Sequence, residues 1–295
     1  MDLSISIVSW NTRDILDACL KSVYSHAGSI DFEVIVVDNA SSDGSVEMVS
    51  NRYPEVKVIV NHSNVGFASA NNQAYGISSG DFFMLLNSDT IVQSSLESVV
   101  NFLRNNPSIG VAGCHCLNAD GSLQQNWYDY YPSICWELLP ESMRLAAYKL
   151  IYNRSVDETF DTKWIGGQCM TLRRACIEQV GSMDEGYFMY SEETDWCYRI
   201  RRRGWRICHW PGLTITHFGG QSTRQMADKM LVQLYRSKTN FMRRHYGRVY
   251  ASAFKFLLML RTGVLLCAVG LRSALSGDLR RPRSIFGLLK ETVRL

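Results

Sequence analysis

What this chain lacks narrows its class before any motif is read. Only six prolines punctuate 295 residues, and none of them marks a long linker. There is no internal repeat at solenoid or propeller periods and no low-complexity tract. With 46% hydrophobic residues, the chain can therefore bury a full core as one large domain, or as one domain with an appendage. Nine cysteines are present, an odd number, without a single C-x-x-C pair. Cys114 and Cys116 lie closest, but a C-x-C on a strand points both thiols to one face, with no second pair to complete a tetrahedral zinc site. The expectation is reduced, mostly buried cysteines in a cytosolic protein. The opening SISIVSW also lacks the basic stretch and long apolar run of a signal peptide. No G-x-G-x-x-G follows the first strand pattern, which weighs against a dinucleotide-binding dehydrogenase.

The net charge of +3 conceals an asymmetry. From Phe241 onward, eleven Lys and Arg face only Asp278 and Glu291, so this tail carries about +9 and the rest of the chain is acidic on balance. No nucleic-acid partner is expected. The tail needs an explanation of its own.

From Ile5 to Asn87, strand and helix patterns alternate. ISIVSW reads as a buried strand, RDILDACLKSVYSH as an amphipathic helix, FEVIVVDN as a strand and GSVEMVSNRY as a helix. VKVIVN, ASANNQAYGISS and DFFMLLN continue as strand, helix and strand. Continuous β-branched runs separated by helices predict an α/β fold with a mostly parallel sheet covered on both faces. In such sheets a ligand sits at the carboxyl ends of the strands. The polar residues there are Ser9, Trp10 and Asn11, then Asp38 and Asn39, then Asn61 to Asn64, then Asn87, Ser88 and Asp89. Each cluster alone reads as a turn or a helix cap. Four clusters on one edge read as a binding site.

VVDNASSDGS, NVGFASANN, LLNSDT, GYFMYSEETDWCYRIRRRGW and PGLTITHFGGQS follow one another in this order. Together they resemble the family 2 glycosyltransferases, closest to the rhamnosyltransferase-like branch, over residues 3 to 245. The resemblance implies a GT-A fold, a nucleotide-diphosphate sugar donor, a divalent metal and inversion at the anomeric carbon. It divides the chain into a catalytic domain, 1–245, with a donor half at about 1–115 and an acceptor half at about 116–245, and a basic tail at 246–295.

In similar enzymes an aspartate at the position of Asp38 binds the base or the ribose, and Ser41, Ser42 or Asp43 can cap the following helix in its place. Gly66 permits close backbone approach, and Asn71 or Asn72 near the helix start can face the donor, with Asn64 beside them. Where the family carries Asp-x-Asp, this chain has Asn87-Ser88-Asp89. Asp89 is left as the direct metal ligand and Asn87 orients ribose, phosphate or a water. A cation there offsets the charge of a leaving diphosphate. Mg²⁺ suits a site with one carboxylate, since it usually keeps several waters. His217, matching the family's metal-binding histidine, makes Mn²⁺ a competitor. An inverting transfer also needs a base for the acceptor hydroxyl. The family pattern puts it at Glu193, where an aspartate is usual, with Asp195 as the alternative. Carboxylates at a helix start also suit the dipole, a structural role that falls to Glu192 or Asp195.

Upstream, KWIGGQCMTLRR resembles the stretch leading into the acceptor site. Trp164 offers a ring face, and Gly166 and Gly167 let a sugar or phosphate lie against backbone. The alternative is a glycine bend with a core tryptophan. The aromatic segment between Gln124 and Phe160 reads as an acceptor-side insertion. In the tail, Lys255, Arg261 and Arg272 interrupt YASAFKFLLMLRTGVLLCAVGLRSAL. A spanning helix wants about 20 apolar residues, and an arginine at its centre costs about 2.5–3.5 kcal/mol on insertion scales. An amphipathic helix on the membrane surface avoids that cost. Packing on the catalytic domain or in a homodimer is the alternative. The expected function is transfer of a sugar, with dTDP-rhamnose as the favoured donor, to a lipid-linked or polysaccharide acceptor by a cytoplasmic enzyme on the inner face of the cell membrane. A UDP-hexose transferase of the same family and a nucleotide-sugar-binding module without catalysis are the rivals.

Overall fold

The structure, a computed structural model, describes residues 1–140, 142–144, 146–147, 154–219 and 227–276. The expected alternation is present as β1 (Leu3–Ser9), α1 (Arg13–Ser25), β2 (Phe32–Asp38), α2 (Ser45–Arg52), β3 (Lys57–Val60), α3 (Phe67–Ile77) and β4 (Phe82–Asn87). Then come β5 (Thr90–Val92), α4 (Leu96–Asn105), β6 (Ile109–Ala112), β7 (His115–Leu117), β8 (Trp127–Tyr128), α5 (Ile134–Leu138), β9 (Phe160–Asp161), β10 (Trp164–Ile165) and β11 (Cys169–Arg173). The remaining elements are α6 (Arg174–Val180), α7 (Glu192–Arg202), β12 (Arg206–His209), β13 (Thr214–His217), α8 (Ala227–Tyr246) and α9 (Arg248–Ser276).

Contacts divide the chain into two compact units. The first holds 1–131, 154–188 and 192–224, and the second 132–153, 189–191 and 225–295. The first is built on an eight-stranded sheet in the order β3-β2-β1-β4-β11-β6-β12-β9. Strands β3, β2, β1 and β4 run parallel, whereas β11 lies antiparallel between β4 and β6. Alternation along each strand feeds two apolar cores. Ile5, Ile7, Val34, Val36, Met84 and Leu86 pack towards α1, α2 and α4, while Ile35, Val37, Phe83 and Leu85 pack towards α3, α6 and α7. This is the two-sided burial that a parallel sheet requires. A three-stranded sheet, β5-β13-β7, and the pair β10-β8 complete the unit. All nine cysteines are free, and seven of them are buried.

In the second unit, Met242 packs with Ala251, Phe254 and Leu258, and Phe241 is fully buried. The boundary expected at 245 thus falls inside a core shared by α8 and α9. Glu137 of α5, itself buried, is paired with Lys238 at 2.6 Å and Arg144 at 3.2 Å. Among the described residues no helix is long and apolar enough to cross a membrane. The end of the basic tail, 277–295, lies outside the described residues, as do 148–153 of the aromatic segment and Gly220 to Ser222 of the last motif.

Candidate active site

Parallel register aligns the carboxyl ends of the central strands, with Ser9 beside Asp38 and Val8 beside Asn87. Short polar side chains then tie the loops together. Ser9 and Thr12 share a hydroxyl hydrogen bond of 3.0 Å, and Thr12 donates to Ser88 at 3.1 Å. Asn11 takes a left-handed conformation at φ +51, from which its N–H reaches Ser41 Oγ and its Oδ1 accepts from the Ser42 N–H. Asn and Asp tolerate that region better than other non-glycine residues.

Asp38 is 1% exposed. Its Oδ1 accepts from the Ser41 N–H at 2.8 Å, while among the described residues its buried Oδ2 has no partner. Asp43 serves the helix start instead, accepting from the Ser45 N–H and hydroxyl through Oδ1 and from the Arg13 N–H through Oδ2. A buried carboxylate oxygen left over in this way calls for an N–H or O–H donor. Next along the chain, Asn39 forms an amide cluster with Asn61 and Asn64. Asn39 Nδ2 donates to Asn64 Oδ1, Asn61 Nδ2 to Asn39 Oδ1, and the Gly66 N–H to Asn64 Oδ1.

Two expected donor contacts are turned into the fold. Gly66 sits at φ +87, and a Cβ there would run into the carbonyl oxygen of Phe188. That oxygen accepts the Phe67 N–H that opens α3, so the close approach serves the chain's own backbone. Asn71 is 2% exposed, accepts from the Ser6 hydroxyl and donates to the Phe67 carbonyl. Both of its polar atoms are engaged inside the first unit. Asn72 likewise donates to the Met183 carbonyl.

The end of β4 turns directly into β5, which pairs antiparallel with β13 and sets His217 opposite Thr90. The Phe218 N–H bonds the Asp89 carbonyl at 2.9 Å. His217 Nε2 consequently lies 3.2 Å from Asp89 Oδ1 and 3.3 Å from Asn87 Nδ2. Among the described residues no group of three His, Cys, Asp or Glu gathers. A carboxylate and an imidazole nitrogen this close nevertheless fit a divalent cation that completes its shell with phosphate oxygens and water. His217 Nδ1 meets Gln124 Oε1 at 2.6 Å, a partner that no sequence signal announced.

The chain enters α7 through Tyr190 and Ser191, both left-handed at φ +68 and +67. Of the three carboxylates that follow, Asp195 is fully buried and paired with Arg199 at 2.8 Å. Arg199 in turn holds the Val180 and Ser182 carbonyls. Asp195 is therefore committed to a structural ion pair, which weakens its candidacy as the base. Glu192 is also buried, and burial followed by the charge of Glu193 pushes its carboxyl well above the usual range. Glu193 is partly exposed at the surface. Burial within the surrounding protein pushes its carboxyl up to about 7, against the opposing pull of N–H groups in the first turn. A carboxylate near 7 is tuned for proton transfer at neutral pH. Tyr128 adjoins it, with its phenol pushed up by burial, then by Tyr130 and the charge of Glu193.

Trp164 stacks on Tyr128 with ring centroids 3.9 Å apart, and its indole N–H donates to the Tyr130 carbonyl at 2.7 Å. Gly166 is buried, its N–H bonded to the Asn126 carbonyl, and a Cβ there would collide with the Gln168 side chain. Gly167 is partly exposed beside Phe67. One face of Trp164 is thus occupied, and Gly167 leaves backbone accessible.

The sequence profile of glycosyl transferase family 2 matches residues 4–177. The chain belongs to glycosyl transferase family 2. It is 26% identical over 274 residues to an N-acetylglucosaminyl-diphospho-decaprenol L-rhamnosyltransferase of Mycobacterium tuberculosis, covering 83% of this chain and 85% of that protein. It is 23% identical over 233 residues to rhamnosyltransferase WbbL of Escherichia coli, covering 76% and 86%. Among solved structures it resembles the mannosyltransferase PcManGT of Pyrobaculum calidifontis in complex with GDP-Man and Mn²⁺. That match has a TM-score of 0.54 at 15% identity and covers 99% of this chain and 84% of that one. It also resembles GalNAc-T7 with UDP, GalNAc and Mn²⁺, with a TM-score of 0.57 at 18% identity, covering 73% and 43%. The mixed α/β architecture of this family 2 member is the GT-A fold.

Proposed function

We propose that this glycosyltransferase moves a sugar, with rhamnose from dTDP-rhamnose favoured, from a nucleotide-diphosphate donor to a lipid-linked acceptor by inversion. The observation that carries this reading is the shared strand edge. Within one unit, Asp38 Oδ2, which has no partner among the described residues, and the Asp89–His217 pair at the strand ends supply a nucleoside acceptor and a cation site, and Glu193 at the start of α7 supplies a base. The rhamnosyltransferase relatives support the sugar, and the lipid-diphosphate named for the mycobacterial relative supports the acceptor class.

Asp38 accepts from the base or the ribose, and the hydroxyl chain of Ser9, Thr12 and Ser88 lines the same edge. Asp89 and His217 would hold Mg²⁺ or Mn²⁺, which when bound offsets charge developing on the leaving diphosphate. Asn87 orients a phosphate, the ribose or a water beside them. Glu193 takes the proton of the acceptor hydroxyl as that oxygen attacks the anomeric carbon from the face opposite the diphosphate. Asp195 acts through Arg199 as a positioning residue. Trp164 and Gly167 line the acceptor side.

The second unit supports attachment to a membrane surface, on the cytoplasmic side in this reading. On α9, Val249, Phe256, Leu260 and Val264 are exposed at helical spacing, opposite the buried Phe254 and Leu258. The tail's positive charge suits anionic headgroups. The donor is tested by screening nucleotide sugars for protection against thermal unfolding with Mg²⁺ or Mn²⁺. Stabilisation by dTDP-rhamnose above UDP-hexoses is expected. Preferential stabilisation by a UDP-hexose would shift the assignment to a hexosyltransferase.

A further inference from the structure

The amide of Gln124 cannot turn over without losing its partners. Its Nε2 donates to Asn118 Oδ1 at 2.7 Å and to the His217 carbonyl at 3.4 Å. Asn118 is itself oriented, because its Nδ2 donates to Ser122 Oγ and to the Leu123 carbonyl. A backbone carbonyl only accepts, so both amides are fixed with their oxygens facing the other way. Gln124 Oε1 therefore faces His217 Nδ1 at 2.6 Å, with the Cys116 thiol donating to the same oxygen at 3.4 Å. The loop that carries these groups is closed by its own backbone. The Asn118 N–H bonds the Ser122 carbonyl, the Gly121 N–H the Asn118 carbonyl, and the Gln124 N–H the Cys116 carbonyl.

An acceptor 2.6 Å from Nδ1 requires the hydrogen to sit on Nδ1. In the neutral ring Nε2 then carries the lone pair, and Nε2 is the atom 3.2 Å from Asp89 Oδ1. We propose that Gln124, held by Asn118, is the positioning residue that locks His217 in the Nδ1–H tautomer and so sets the affinity of the Asp89–His217 site for a divalent cation. The inference rests on the cation-site reading above and adds a determinant outside its ligands. Outer partners of this kind typically contribute 10- to 100-fold in metal affinity.

The test uses the full chain and Mn²⁺ as the probe, with free Mn²⁺ followed by electron paramagnetic resonance in the presence of UDP. Gln124→Ala should weaken Mn²⁺ binding about 10- to 100-fold, while metal-free UDP affinity stays within about twofold. Gln124→Glu, which still accepts from Nδ1–H, should retain most of the affinity. Asn118→Ala should lose less than Gln124→Ala, in the same direction. Independently of any variant, long-range nitrogen–proton correlation spectra of the wild-type protein should place the His217 ring hydrogen on Nδ1. A hydrogen on Nε2, or unchanged Mn²⁺ affinity in Gln124→Ala, overturns the proposal. His217→Ala separates the two layers. If it abolishes Mn²⁺ binding and Gln124→Ala does not weaken it, the inference on Gln124 fails alone. If His217→Ala leaves Mn²⁺ binding intact, the cation site itself is wrong, and the inference falls with it.

Discussion

At the residue scale, three carboxylates at strand or helix ends differ in what their surroundings leave unsatisfied. Asp43 is consumed by backbone and hydroxyl donors, Asp195 by Arg199, and Asp38 has one buried oxygen without a partner among the described residues. Asp38→Ala should therefore weaken metal-free binding of dTDP or UDP by roughly 10- to 150-fold, the worth of a hydrogen bond to a charged group at about 1.5–3 kcal/mol. Calorimetric titration checks it, and an unchanged affinity would remove Asp38 from the nucleoside site. For Glu193, whose carboxyl lies near 7, the base form is absent well below that pH and present above it. The pH profile of kcat/KM should accordingly rise through about 7. Glu193→Gln should cut transfer on the order of a hundredfold or more and keep donor binding. If Glu193→Gln transfers normally and Asp195→Asn does not, the two roles must be exchanged.

At the scale of elements, much of the fold was legible because continuous apolar strands with both faces buried leave a strong signature. The strand-helix alternation from β1 to β4 matches its expected positions within one or two residues. The antiparallel insertion of β11 between β4 and β6 was not legible, since CMTLR carries no mark of direction or neighbour. The site was legible at strand ends and opaque wherever a polar residue had two possible partners. Asn71 looks the same in sequence whether it meets a ligand or the Ser6 hydroxyl. The positive φ of Gly66 could be anticipated, but its partner Phe188, more than a hundred residues away, could not. Gln124 lies in LQQNW, where nothing sets one glutamine above the other. At the opposite end of the central strands, Glu33 is a purely structural carboxylate. It joins Ser4 on β1, Lys57 on β3 and Ser79 before β4. Burial pushes its carboxyl up, but Lys57, Ser4 and Ser79 outweigh burial and bring it down to about 2. Its contribution to stability is present above the ordinary glutamate range near 4.5 and lost as pH falls towards 2. Glu33→Gln should lower unfolding free energy at pH 7 by roughly 1–3 kcal/mol. It should also flatten the loss of stability on acidification, as read by urea unfolding at several pH values. A variant as stable as the parent at pH 7 would contradict the account.

At the scale of the whole molecule, a chain ending at Tyr246 would strip Met242 of Ala251, Phe254 and Leu258, the α9 residues that share its core. Membrane attachment is therefore better tested on the outer face of α9. Phe256→Ser with Leu260→Ser should reduce sedimentation with anionic vesicles several-fold and leave the melting temperature within about 2 °C, because both side chains are exposed. Salt should release the wild-type protein only in part, since ions do not screen the apolar term. Equal sedimentation of the double variant would leave packing or self-association as the role of that face. The central claim is that the Asp89–His217 edge binds the donor diphosphate through a divalent cation. Its most direct test is calorimetric titration of dTDP or UDP into the wild-type protein and Asp89→Ala, each with and without Mn²⁺. The account predicts that Mn²⁺ tightens nucleotide binding at least tenfold in the wild type and has no effect in Asp89→Ala. Identical metal dependence in the two proteins would contradict it.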